Sequence, residues 1–366
     1  MDIYEVDKQI SEMSGEIDFY TLLTPVNKKQ EEEKFFSALQ RGDVYNPVFE
    51  YCDRRLEWTV EPFEAMRLAL GSGGDAEDLL RSKVDFLSVQ VELLNAADPG
   101  FIEAAVKLHG IPDEESLKKA RSILDGSREE SYVFPEESVS PEEMVSIMRA
   151  ELEAEGIDWQ CVLSDRIVPK ITVSGKDHTI YVNSRIKYTP QEIERLKVHE
   201  IKVHIYRGVN GAMQPLRIFA EGLAGYNETE EGLAIVAEEA SGCLREDTRQ
   251  MKLYAGRALC ADLCMKNGFY ETFNALREFF PDDIAYRLTE RGKRGLTDTS
   301  AKGGLTKGFH YISGWLRTQK FVERGGDLSI LYVGKTGVDD VDVVNRLLKE
   351  GILKPPRHVP EFIGKK

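Results

Sequence analysis

His199 and His204 bracket a glutamate in His199-Glu200-Ile201-Lys202-Val203-His204, side chains suited to holding zinc beside a general base. In the common zinc-peptidase signature the histidines stand four apart, separated by about 40° around an α-helix. Here they stand five apart, which on a regular helix sets them roughly 140° apart on different faces. Both reach one ion only if the helix takes up an extra residue as a π-bulge, a rare device concentrated at functional sites. The plainer alternative is a satisfied core His199, with Glu200 pairing His204 at four-residue spacing.

A third ligand is available in Asn227-Glu228-Thr229-Glu230-Glu231-Gly232-Leu233-Ala234, which opens a helix expected to run to about Gly242. Glu228 and Glu230 read as ordinary acidic partners of a helix start. Glu231 precedes Gly232, a residue that admits close approach of another helix. A carboxylate there completes a His, His, Glu set with a fourth position open for water, as in catalytic rather than structural zinc sites. Glu238, two turns on, either orients a ligand histidine or, the commoner case, is an exposed surface glutamate.

These residues need a frame. Thr189-Pro190-Gln191-Glu192 is a capping box with proline at the first helical position, and Ile193 and Leu196 give the new helix a buried face. Before it, residues 159–163, 170–173 and 179–183 alternate as short strands, with Gly175-Lys176-Asp177-His178 as a turn between the last two. Apolar spacing of three and four makes the first 125 residues mostly helical, and Pro141 to Glu155 another helix. The acidic stretch from Asp125 to Pro141 reads as a loop and weak boundary. The expected class is α+β, mostly helical, with a small antiparallel sheet beside the zinc-binding helix. We expect one catalytic unit over 1–366, with a helical N-terminal part (1–130), a peptidase core (141–330) and a C-terminal extension (331–366).

Composition narrows the partners. The 366 residues carry 63 Asp+Glu against 48 Lys+Arg, a net charge of −15, which repels phosphate backbones and anionic membranes and argues against nucleic-acid binding. No apolar run is long enough to span a membrane, and the acidic Met1-Asp2-Ile3-Tyr4-Glu5 does not resemble a signal peptide. With five cysteines too sparse for a disulfide scaffold, the expected location is cytoplasmic, and Cys260 and Cys264 read as buried thiols.

The ordered motifs resemble one family. His199-Glu200-Ile201 to His204, Arg207, Asn210-Gly211, Gln214-Pro215-Leu216, Thr229 to Ala234, and Lys293-Arg294-Gly295 with Thr297-Asp298-Thr299 are similar to the MATCAP, or tubulin tyrosine carboxypeptidase-like, proteins. Weaker similarity covers most of the rest of the chain. The resemblance implies a zincin-like metallopeptidase whose histidines stand five apart, with one Zn2+ on His199, His204 and Glu231 and with Glu200 as catalytic glutamate. It implies a carboxypeptidase acting on a peptide or protein C-terminus. The family nickname, the QEGLA motif, has glutamine where this chain has Glu230. Eukaryotic members carry a long basic tail for microtubules, whereas this chain is acidic like the tubulin tails themselves, so tubulin is a doubtful substrate.

A carboxypeptidase also needs a cation for the substrate's terminal carboxylate. Arg207, three residues past His204 and matching the family arginine, is the first choice, and Lys293 and Arg294 in a Gly/Thr-rich loop are next. Strand 179–183 or 170–173 is expected to pair with an extended substrate. Competing readings are a zinc endopeptidase or amidase on the same site, and a regulatory protein with a degenerate site. A nucleotide-binding loop at Gly334-Lys335-Thr336 is disfavoured, because Ser329 stands where such a loop needs glycine. His109, His178, His310 and His358 read as structural or exposed, and Tyr311 as a long-shot oxyanion donor.

Overall fold

The computed structural model describes every residue except 1, 18, 54, 55, 57–60, 72, 127–136, 168, 247 and 364–366. Most of the expected loop between Asp125 and Pro141 therefore lies outside the described residues. The chain divides into two compact units, Met1–Glu129 with Glu246–Leu316, and Glu130–Arg245 with Arg317–Lys366. The expected 141–330 core spans parts of both units. Residues 246–316 pack with the N-terminal helices, and the C-terminal fifty residues pack with the zinc-ligand candidates.

The second unit begins with helix α1 (Pro141–Ala154), capped by Ser140 with Glu143 closing the box. Strands β1 (Gln160–Ser164), β2 (Ile171–Ser174) and β3 (Thr179–Asn183) follow. The sheet order is β1-β3-β2, so the expected antiparallel sheet is in fact mixed. The turn at 175–178 folds β3 back antiparallel on β2, pairing Ile171 with Val182 and Ser174 with Thr179. β1 lies parallel on the far side of β3, pairing Cys161 with Ile180 and Leu163 with Val182. Residues 165–178 are long enough to carry the chain across, as a parallel pair requires. β3 is therefore central and both its edges are used, which removes it as a strand for substrate addition; β2 remains an edge.

Thr189 starts helix α2 (Pro190–Leu196) as its sequence anticipates. Its hydroxyl accepts from Glu192 N at 3.2 Å, and Glu192 Oε2 accepts from Thr189 N at 3.0 Å and from Lys170 Nζ at 2.9 Å. The helix runs straight into a π-helix over Lys197–Ile205, then α3 (Tyr206–Ala212), and after a short connection α4 (Tyr226–Ala240). Val198, Ile201, Val203 and Ile205 bury the π-helix against a core containing Met144, Met148, Ile180, Val182, Leu233 and Ala237. No helix among the described residues is long and apolar enough to cross a membrane.

The first unit is helical. Its helices include Asp75–Asn95, Asp98–His109, Glu114–Gly126, α5 (Arg249–Lys266) and α6 (Asp282–Lys293). Gly292 fits α6 closely against α5, since a Cβ there would stand 2.7 Å from Cys264 Sγ and 2.9 Å from Cys260 Sγ. Both thiols are buried, as expected.

Candidate metal centre

Five-residue periodicity organises the site. The π-helix contains a literal repeat, Lys197-Val198-His199 and Lys202-Val203-His204, and each member stacks one wide turn above its copy. Lys197 and Lys202 both reach Glu151 on α1, at 3.4 and 2.9 Å. Val198 and Val203 are both buried. His199 and His204 bring their rings to 4.7 Å between centroids at 83°. The widened coil thus restores to one face the residues that an α-helix would separate.

Glu231, on α4, completes the cluster. His199, His204 and Glu231 each present a ligand atom within 4.8 Å of the others, and His199 Nε2 stands 3.8 Å from Glu231 Oε2. Each imidazole is fixed from behind. His199 Nδ1 donates to Glu238 Oε1 at 2.7 Å, and His204 Nδ1 donates to Glu230 Oε1 at 3.0 Å. A carboxylate accepts only, so both rings carry their proton on Nδ1 and leave the Nε2 lone pair for a ligand. Two imidazoles and a carboxylate are the donor types that zinc takes with an open fourth position, and the residues present fit that ion.

Each supporting carboxylate has its own cation. Arg195 Nη1 bonds Glu238 Oε1 at 2.9 Å, and both side chains are buried. Lys335 Nζ lies 3.7 Å from Glu230 Oε1, and Arg207 Nη1 lies 4.0 Å from Glu230 Oε2. Burial alone would raise the pKa of Glu230, but Lys335, His204 and Arg207 hold it below the ordinary carboxylate range. Burial alone would lower the pKa of His199; the bond and charge of Glu238, with the charges of Glu200 and Glu231, raise it instead.

A family model described as microtubule-associated tyrosine carboxypeptidase, MATCAP, matches residues 33–366. The chain belongs to this family. It is 27% identical over 355 residues to human microtubule-associated tyrosine carboxypeptidase 1, covering 93% of this chain and 64% of that protein. It is also 27% identical to the rat protein of the same name over 356 residues, again 93% of this chain and 64% of the relative. Against mouse putative tyrosine carboxypeptidase MATCAP2 it is 26% identical over 357 residues, 94% of this chain and 58% of the relative. The chain thus spans less than two-thirds of the length of these relatives.

Several motif residues of this MATCAP chain have structural duties. Arg207 is fully buried, with Nε donating to Leu331 O at 2.9 Å and Gly334 O at 3.2 Å, and Nη2 to Thr336 O. Asn210 donates to Tyr332 O and His358 O and accepts from Arg357 N and His358 N. Gln214 donates to Val333 O and Lys354 O and accepts from Lys354 N. Together they strap the segment 331–358 onto α3. Gly211 lets α3 approach residues 219–220 closely, because a Cβ there would lie 2.2 Å from Phe219 O.

Arg207, expected to clamp a substrate carboxylate, is bonded through Nε and Nη2 to these backbone carbonyls, while Nη1 stands 4.0 Å from Glu230 Oε2. Lys293 and Arg294, the next expected cations, belong to the first unit. Lys293 Nζ is buried among the carbonyls of Ala301, Asn267, Gly303 and Cys264, at 2.6 to 3.3 Å. Arg294 is bidentate on Glu290, at 2.8 and 3.2 Å. Tyr311 stacks on Tyr254 at 4.7 Å and 11°. Leu328–Tyr332 is a 3-10 helix rather than a strand, and Lys335 faces Glu230, so the segment does not form a nucleotide-binding loop.

Sequence reasoning did not foresee the supporting roles of Arg195 and Lys335, and favoured lesser roles for Glu230 and Glu238. Glu238, expected at the surface, is fully buried. Glu230 does more than balance a helix end, and Arg195 and Lys335 supply the charges that let the two carboxylates stay buried. The repeated Lys-Val-His is the signal that a five-residue period governs this helix.

Proposed function

We propose that this chain is a zinc-dependent peptidase whose ion is held by His199, His204 and Glu231. One observation carries the reading: two imidazoles five residues apart share a face with a carboxylate, each ring oriented through Nδ1 by a buried acid. Zinc bound there supplies a Lewis acid for polarising a carbonyl and acidifying water. Glu200, half-buried and next to His199, is the base that takes the proton from the attacking water and returns it to the leaving amine. Arg195 and Lys335 hold the charge of the orienting acids so that both Nε2 atoms remain available.

The reaction that best joins this site to the names of its relatives is removal of a C-terminal residue from a peptide or protein. Cytoplasmic action on a protein tail accords with those names. An endopeptidase on the same site is the second reading, favoured by the engagement of Arg207, Lys293 and Arg294 elsewhere. Metal analysis of the purified chain tests the ion; one zinc per chain is expected, and none would end the proposal. Digestion of peptide pairs with free and amidated C-termini tests the reaction. A carboxypeptidase cleaves only the free forms, and equal cleavage selects the endopeptidase.

A further inference from the structure

The first unit contains a cavity of about 190 Å3 where α5, α6 and the segment after α6 meet the N-terminal residues. Its apolar wall includes Leu23 and Leu288, and its charged wall is Arg257, Arg291, Arg294 and Lys307. Among the described lining residues there are four cations and no carboxylate, in a chain where acids outnumber bases 63 to 48.

The four cations are not equivalent. Arg294 is committed to Glu290, and Arg291 and Lys307 have contacts of their own. Arg257 is held differently. Its Cζ lies over Tyr311, 4.6 Å from the ring centre, and 5.6 Å from that of Tyr254. The two rings are themselves stacked, so aromatic surface covers one side of the cation. Among the described residues no carboxylate pairs with this half-buried guanidinium. These aromatic contacts take up none of its N–H donors, and a guanidinium can bind a carboxylate through two parallel hydrogen bonds.

We propose that this cavity is a binding site for a small organic carboxylate with an apolar body, its head on Arg257 and its body against Leu23 and Leu288. Size sets the class, because the cavity is smaller than the roughly 300–1,000 Å3 of drug-sized sites. The apolar wall sets the charge. A singly charged head costs less to desolvate than a doubly charged phosphate ester, and the added field of Arg291 and Lys307 favours any anion. The site is independent of the metal centre and stands whether or not that centre is catalytic.

The test uses the full chain and hexanoate as probe, with affinity read by calorimetric titration or ligand-observed NMR. Saturable hexanoate binding is expected, with hexan-1-ol at least about tenfold weaker, the loss of one charge-assisted hydrogen-bonded pair. Arg257→Gln should weaken hexanoate about tenfold at an unchanged melting temperature. Ala261→Leu, which fills the cavity from α5, should weaken hexanoate and hexan-1-ol together, and it decides the matter if Arg257→Gln does not fold. Absence of saturable binding, equal affinity for the alcohol, or wild-type binding by both variants would overturn the site. Tighter binding of hexyl phosphate than of hexanoate would overturn the carboxylate assignment.

Discussion

His199 Nδ1 and Glu238 Oε1 stand 2.7 Å apart in the interior, thirty-nine residues apart in the chain, and this bond fixes how the first histidine faces its partners. Glu238→Ala should therefore weaken zinc binding by about 10- to 100-fold, and Glu238→Gln, which retains an acceptor, by less. Chelator competition on the purified variants measures both. Identical zinc affinities in all three proteins would show that the carboxylate supports packing alone.

In the proposed reaction, the role of Glu200 is separable from that of the ion. Glu200→Gln should leave zinc content and affinity near wild type while lowering turnover by about 10²-fold or more, because the amide cannot accept the water's proton. Peptide hydrolysis and metal analysis on one preparation check this. Undiminished turnover removes Glu200 as the base.

Much of this centre could be read locally. The capping box at Thr189 and Glu192, the helix it starts, the three strands and the two spaced histidines all declare themselves within a few residues. The π-helix follows from chemistry, since only a widened coil reconciles His199 and His204. What could not be read depends on distant chain. Sheet order is decided by where residues 165–178 carry β2, not by the strands' own alternation. Glu238 belongs to a type that is usually exposed, and only the arrival of Arg195 and His199 from another helix makes its burial tolerable. Arg207 has the spacing of a substrate clamp, but carbonyls 124 to 129 residues later claim it first.

That claim on Arg207 separates stability from binding. Arg207→Lys keeps the charge but replaces a planar fork with a point donor, and should cost about 2–4 kcal/mol through lost carbonyl bonds in a buried setting. Substrate KM should be unchanged in the folded fraction. Urea melts and peptide kinetics on the same variant distinguish the cases. A raised KM with unaltered melting would return Arg207 to the substrate.

Glu192 gives the fold a defined acid sensitivity. Burial would raise its pKa, but its bond to Thr189 N and the bond and charge of Lys170 lower it below the ordinary glutamate value. A carboxylate whose pKa is lower in the folded state stabilises the fold at any pH above its unfolded value of about 4.3. That contribution disappears as pH falls through the lowered folded-state value. Because Glu192 caps the helix that continues into the proposed zinc ligands, its protonation loosens the start of α2 first. Glu192→Gln should be about 1 kcal/mol less stable than wild type at pH 7, within the usual range for a helix cap. The difference should start to shrink as pH falls below about 4.3 and be gone once pH is below the lowered folded-state value, where both side chains are neutral. Urea denaturation at pH 7, 5, 4 and 3 measures it, and a gap that keeps its full size at pH 3 would show that the charge of Glu192 contributes nothing to the cap.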